Sequence, residues 1–427
     1  FEDNRKKSLE QNVTSSTGGD REFDVVVWGA TGFTGRLVAE YLHGQYGTGG
    51  DLRWAIGGRN PDKLAAVRND LGAGDDLPIV TGDSGDAPSM AALAERSMVV
   101  CSTVGPFAHY GSELVAACAA AGTHYCDITG EVQWMRRMID AHEDMARASG
   151  ARIVHACGFD SSPSDLGTLF IQQTMQRQER RPCNEVKLRV RKMKGAASGG
   201  TVASLMNALV EAGQDPAARR ALGHPYSLNP DGEQEGPDGS DQKGPAYDPD
   251  FVSWTAPFVM SAVNTRVVRR SNALLNYAWG KDFRYSEAVT TGPGTMGWTR
   301  ATSMTAALGG FAVAASIGPT RSLMNRLFLP QPGEGPDQAA REAGSFDLRL
   351  FGRATNGKTL RARVTGDRDP GYGATCRMLG ESAVCLAQDA DQLGVDGGFW
   401  TPASCMGATL IERLRASAGM GFELLPD

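Results

Sequence analysis

Nowhere in these 427 residues do twenty predominantly apolar residues follow one another, so no segment reads as a convincing membrane-spanning helix. Paired cysteine motifs are missing too. The eight cysteines lie far apart, at 101, 118, 126, 157, 183, 376, 385 and 405, with no C-x-x-C. That spacing excludes a disulfide scaffold, argues against structural zinc, and fits reduced thiols in a cytoplasmic compartment. Positive charge is not in excess: 43 Lys and Arg face 49 Asp and Glu, a net charge of −6. No general electrostatic pull toward nucleic acid or an anionic bilayer follows, local basic patches aside. Residues 1–20 lack the apolar core of a signal peptide and are too acidic for a transit peptide; they read as a disordered leader. Asn12 matches a glycosylation sequon, which without a secretion signal is accidental.

Glycine, by contrast, is abundant, with 53 residues, and three of them organise the chain. Residues 23–35 read FDVVVWGATGFTG. Val25, Val26, Val27 and Trp28 form a short apolar run suited to a strand buried on both faces. Gly29, Gly32 and Gly35 follow at three-residue steps, and residues 37–42 read as a helix. Strand, glycine turn and helix together make a cradle for a dinucleotide diphosphate: a tight turn, close backbone approach and free amides at a helix amino terminus. Gly29, Ala30, Thr31, Gly32, Phe33, Thr34 and Gly35 are the candidate cradle. The spacing is G-x-x-G-x-x-G rather than the common G-x-G-x-x-G. A plain structural turn is the competing explanation.

Residues 52–57 form the second strand. NAD enzymes place a carboxylate at the end of that strand, whereas an arginine suits a 2′-phosphate. Arg59 stands there, which favours NADP(H); a simple surface arginine is the alternative. Residues 78–81 make a third strand, after which Asp83 either meets the adenine or turns the chain. The strand 98–103 ends in Val104, Gly105 and Pro106, a loop beside the nicotinamide end of a bound cofactor. Strands 124–128 and 152–156 complete six, and strand–helix alternation predicts a doubly wound parallel sheet. In the loop 158–165, Ser164 or Asp165 caps the next helix, or the loop faces substrate.

The period then changes. Residues 185–194 alternate as a half-exposed strand does, 201–212 read as a helix, 346–350 and 359–365 as strands, and 376–389 and 406–416 as amphipathic helices. The stretch 228–250 is Pro-, Gly- and acid-rich, a mobile loop or a lid. No charge lies between Arg300 and Arg321, and residues 304–318 are mostly small and apolar. That segment reads as a buried or surface-docked helix, with a membrane contact or the wall of a greasy substrate site as alternatives.

The motifs GATGFTG (29–35), GGR (57–59), TVGPFAHYG (103–111), AAGTHYCDITGE (120–131), ACGFDSSPSD (156–165), NTRVVRRSNAL (264–274), FRYSE (283–287), DPGY (369–372) and GGFWTPASCMG (397–407) carry a resemblance. From about residue 22 onward the chain resembles the saccharopine dehydrogenase-like oxidoreductases, in particular their trans-acting enoyl reductase branch. The resemblance implies an α/β Rossmann-like domain over 21–165 and an α+β substrate and dimerisation domain on a mixed sheet over 166–370. It also implies a return of 371–427 onto the first domain, a nicotinamide cofactor and a homodimer. Within that branch the substrate is an acyl chain of lipid or polyketide type, presented by an acyl carrier domain, and the double bond reduced is C=C. Arg266, Arg269 and Arg270 then either meet the carrier's phosphopantetheine phosphate or form a solvated basic face.

Such a reduction needs a stabilised enolate oxygen and a proton for the α-carbon. Tyr110 and Asp160 are the candidate catalytic groups, with Asp127 and Ser161 at the same edge. A tyrosine merely packed under the loop is the competing reading for Tyr110. His109, His124 and His155 show no relay spacing. Two other functions remain open: a C–N or C=O oxidoreductase for a small polar substrate, and a cofactor-binding scaffold at lipid surfaces through 304–318.

Overall fold

A computed structural model describes residues 21–195, 199–320 and 335–426. The leader and the sequon at Asn12 lie outside the described residues. Fourteen strands among them form two sheets. The first contains β1 (Phe23–Trp28), β2 (Trp54–Gly58), β3 (Ile79–Thr81), β4 (Ser97–Ser102), β5 (His124–Asp127) and β6 (Arg152–Val154). Its order is 3-2-1-4-5-6, every pair parallel, as a doubly wound sheet requires. The second holds β7 (Cys183–Lys194), β8 (Ala246–Asp248), β9 (Ser253–Ala256), β10 (Arg284–Gly292), β11 (Ser345–Ala354) and β12 (Thr359–Gly366). The late strands β13 (Gly398–Trp400) and β14 (Met420–Leu425) join the first and second sheet respectively. Only β7 and β10 pair in parallel in the second sheet, so it is mixed.

Seven helices carry the argument: α1 (Phe33–Tyr46), α2 (Val132–Ser149), α3 (Ser162–Glu179), α4 (Gly199–Gln214), α5 (Ser261–Leu274), α6 (Gly294–Ser316) and α7 (Thr375–Gln388). The core strand β1 buries Val25 to Trp28 completely or nearly so, and α1 lays Leu37, Val38 and Leu42 against the sheet. Helix α3 joins the two domains and is buried along most of its length. It packs so closely on the second sheet that a Cβ at Gly167 would lie 2.9 Å from Val364. Val186, Leu188 and Val190 of β7 are buried with it, while Arg191 and Lys192 next to them are exposed.

Residues 371–427 divide between the sheets. Helix α7 packs on α1, and Glu381 within it accepts hydrogen bonds from the hydroxyls of Tyr41 (2.5 Å) and Tyr46 (2.6 Å). Strand β13 then extends the first sheet beside β6, whereas β14 closes the edge of the second beside β12. Asp165 does not cap α3. Its buried carboxylate accepts from Ser271 of α5 and from the Ala403 amide (2.8 Å), clamping the returning chain.

Two further expectations are corrected. Arg266, Arg269 and Arg270 are neither a solvated face nor available to a phosphate, being at most 4% exposed. Arg266 pairs with Asp241, Arg269 with Asp238 (2.8 Å), and Arg270 donates to the carbonyls of Leu228 and Phe399. The acidic stretch 228–250 is therefore a strap pinned onto α5 rather than a mobile lid, because its carboxylates neutralise arginines that would otherwise be buried unpaired. Farther along, Asp248 pairs with Arg189 (2.7 Å) and Asp250 with Lys187 (2.6 Å). Helix α6 runs along β9, β10 and α4 at the surface, with most of its length exposed.

Burial raises the Asp165 carboxyl to about 7, against the opposing pull of its hydrogen bonds. Between about pH 4 and 7 the folded chain thus holds a proton that the unfolded chain has released, and stability falls as pH rises through that window. Asp165→Asn is expected to flatten the fall by a few kcal/mol. Chemical denaturation of parent and variant across the window measures it. Glu287, raised the same way by burial, adds its own slope to both proteins.

Candidate active site

The carboxyl edge of the first sheet is built around the turn after β1. Gly29 has φ +93, a conformation that favours glycine, and a Cβ there would lie 2.6 Å from Val104 and 2.8 Å from Thr103. At Gly35 a Cβ would lie 2.2 Å from the Gly29 carbonyl oxygen. The turn closes through the amide of Gly32, which donates to that carbonyl (2.9 Å). Gly32 is exposed, and α1 begins there with no side-chain cap among the described residues. Ala30 is buried, while Thr31, Phe33 and Thr34 are half-buried around the turn.

Beneath the neighbouring strands lies the Trp28 indole. A Cβ at Gly57 would meet its ring at 2.6 Å, and one at Gly82 would approach it to 3.2 Å. Its N–H donates to Ser84 (3.0 Å), which flanks exposed Asp83. Asp83 accepts from the Gly85 amide (2.9 Å) and so turns the chain locally. Arg59 is exposed directly after β2, followed by Asn60, whose side chain caps the next helix by accepting from Lys63 (3.0 Å). The cradle, Arg59 and Asp83 thus follow three adjacent strand ends.

On the other side of β1, the loop of Val104, Gly105 and Pro106 leads from β4 into a short helix, Phe107–Tyr110. Sequence reasoning assigned no role to the residue that anchors it. Glu131 is fully buried and accepts from the amides of Phe107 (2.8 Å) and Ala108 (2.9 Å) and from Ser204 of α4 (2.8 Å). A carboxylate at a helix start is favourable for the same electrostatic reason as a bound anion. Its only sequence signal was a place in the AAGTHYCDITGE block. Tyr110 lies on the outer side of this short helix, 47% exposed.

Asp127 and Ser161 prove to be structural. Asp127 accepts from the amides of Thr129 and Ala156 (3.0 Å each) and pairs with His155 Nδ1 at 2.8 Å. Ala156 has φ 61, a strained conformation for a non-glycine residue, and Asp127 holds it there. The Ser161 hydroxyl donates to Asn264 (3.0 Å), which in turn donates to Glu287 (2.9 Å). Asp160, between them in the chain, is half-buried and faces Gly130 across the edge.

The second domain reaches over the cradle. The Tyr372 ring meets the Phe33 ring edge-on with centroids 4.7 Å apart, and its hydroxyl accepts from the Gly199 amide (2.9 Å) at the start of α4. Asp369 fixes that turn by accepting from the amides of Tyr372 and Gly373. The DPGY motif therefore ties cradle, α4 and second sheet together.

The description "Saccharopine dehydrogenase NADP binding domain" fits residues 25–154 as a family model. Rv2449c of Mycobacterium tuberculosis is 43% identical over 95% of this chain and 98% of its own length. A trans-acting enoyl reductase of Mycobacterium ulcerans is 39% identical over 92% of this chain and 96% of its own. The chain belongs to the saccharopine dehydrogenase-like oxidoreductases, in their trans-acting enoyl reductase branch. Among solved structures, apo saccharopine dehydrogenase (L-Glu forming) of Saccharomyces cerevisiae aligns over 94% of this chain and 99% of that one, with 10% identity and a TM-score of 0.49.

An NADP(H) cofactor agrees with the edge itself: two glycines that cannot carry a Cβ, uncapped amides and an exposed arginine after β2. Gly35→Ala is expected to weaken NADPH binding at least ten-fold, since the methyl group displaces the turn. Arg59→Ala should cost NADPH about ten-fold or more while leaving NADH affinity unchanged, as loss of a charge-assisted contact predicts. Fluorescence titration with both nucleotides measures the two effects.

Proposed function

We propose that this protein is an NADP(H)-dependent enoyl reductase that reduces a carbon–carbon double bond of an acyl chain presented in trans by a carrier domain. The observation that carries the reading is full-length kinship with proteins named trans-acting enoyl reductases, joined to the glycine cradle. When bound, the cofactor supplies hydride for the β-carbon. The chain's own residues do the rest. Gly29, Ala30, Thr31, Gly32, Phe33, Thr34 and Gly35 receive the diphosphate, Arg59 the 2′-phosphate, and Asp83 borders the adenosine. Val104, Gly105 and Pro106 flank the nicotinamide end, and Glu131 keeps that loop in place through the Phe107 and Ala108 amides.

Asp127 and Ser161 hold structural hydrogen bonds, and we assign Tyr110 or Asp160 to donate a proton or hydrogen-bond the enolate oxygen. Tyr110 is the stronger candidate, because its phenol lies on an exposed side of the helix that follows the loop. Polar amino-acid substrates of the saccharopine type fit less well: the arginines of α5 are all engaged internally.

Purified protein is expected to oxidise NADPH with α,β-unsaturated acyl thioesters and not with the substrates of saccharopine dehydrogenase. The reverse pattern overturns the reading. Tyr110→Phe should lower turnover on the enoyl thioester about a hundred-fold with NADPH affinity intact. Unchanged turnover removes Tyr110 from the chemistry and leaves Asp160.

A further inference from the structure

The second domain carries a basic groove of about 550 Å³ that has no part in the reading above. Arg191, Arg300, Arg349 and Arg361 line it, and no Asp or Glu is among its described lining residues. Asp347 offsets part of this charge from the side, at 2.7 Å from Arg349 and 3.7 Å from Arg191. The Arg361 guanidinium is held in place over the Phe351 ring, 5.1 Å from its centroid, and donates to the Asp250 carbonyl. Arg300 belongs to α6 and is exposed.

Helix α6 starts at the groove wall, at Pro293 and Gly294. An exposed helix of a water-soluble domain ordinarily carries charge on its outer face. This one carries none from residue 301 to 320, while Met296 and Val313 are each 63% exposed and Trp298 49%. Positive charge beside an uncharged helix with exposed apolar side chains is the chemistry of a surface that rests on anionic lipid: phosphates meet arginines, and apolar side chains enter the headgroup boundary. The arginines are local, since the whole chain is −6. A two-fold contact with a second copy centred on this groove would instead set arginines against arginines. Crossing the bilayer is not the mode of contact, because no helix among the described residues is long and apolar enough.

We propose that the groove and α6 form one surface that docks on an anionic bilayer, with Arg191, Arg300, Arg349 and Arg361 receiving lipid phosphates and Met296 and Val313 entering the interface. The docking is independent of the reaction assigned above, and its test needs no turnover. The full chain is floated with vesicles of phosphatidylcholine alone and of phosphatidylcholine mixed with phosphatidylglycerol. It is expected to rise with the mixed vesicles only, and less so as salt is raised. Arg191→Ala and Arg300→Ala should each lower the partition about five-fold, and Met296→Ser with Val313→Ser should lower it further. NADPH affinity, unchanged in all of them, reports an intact fold. The proposal is overturned by equal flotation with both vesicle types, by no flotation, or by variants that float like the parent. It falls equally if the parent sediments as a dimer that these substitutions dissolve, or if a soluble acidic acyl carrier protein binds through these arginines while vesicles do not.

Discussion

The carbonyl oxygen of Gly29 leaves no room for a side chain at Gly35, and Thr103 and Val104 leave none at Gly29. This mutual exclusion brings three elements to one point: the end of β1, the start of α1 and the loop after β4. Thr103 reinforces it by donating its amide to the Trp28 carbonyl at 2.9 Å. The approach is close because glycine permits it, and it is worth keeping because it brings the uncapped start of α1 to that point. Everything proposed about the cofactor depends on this contact, and the rest of the molecule can be understood as holding it in place.

The support comes from distant parts of the chain. Glu381 sits more than three hundred residues from Tyr41 and Tyr46 yet accepts from both, fixing α7 on the back of the cradle helix. Burial and this carboxylate together raise the Tyr41 phenol well above its ordinary range, so it stays a donor. Tyr372 braces the front of the same helix through Phe33. Asp165 and Arg270 then bind the returning chain at Ala403 and Phe399 to the helices of the second domain. Cradle and second sheet are therefore coupled through several buried polar contacts, each costly to leave half-made.

How much of this was legible in the sequence followed the range of the interaction. The cradle was readable because Gly29, Gly32 and Gly35 sit within one turn of chain beside an apolar run. The six strands β1 to β6 were readable because helices alternate with them. Strands β8, β9, β13 and β14 were not: β13 and β14 join sheet edges by pairing with β6 and β12, far away in sequence, and β8 and β9 are a short hairpin at the other edge of the second sheet. The arginines of α5 were misread for a similar reason. A basic cluster looks solvent-facing when its partners Asp238 and Asp241 are hidden in a loop with no periodic signal. Glu131 and Asp127 gave only their identity, since a carboxylate that collects backbone amides leaves no pattern in its own neighbourhood.

The same distinction bears on the chemistry at the edge. Glu131 and Asp127 take up backbone donors there, because loops that converge on a site carry amides with no strand to satisfy them. Glu131 takes two, and Asp127 takes two and a histidine. A carboxylate so engaged is held in one orientation by the bonds it collects. The Tyr110 phenol lies outside that web, on the exposed side of its short helix. The role proposed for Tyr110 as proton donor would let Glu131 and Asp127 remain positioning groups while a side chain outside their web meets the substrate.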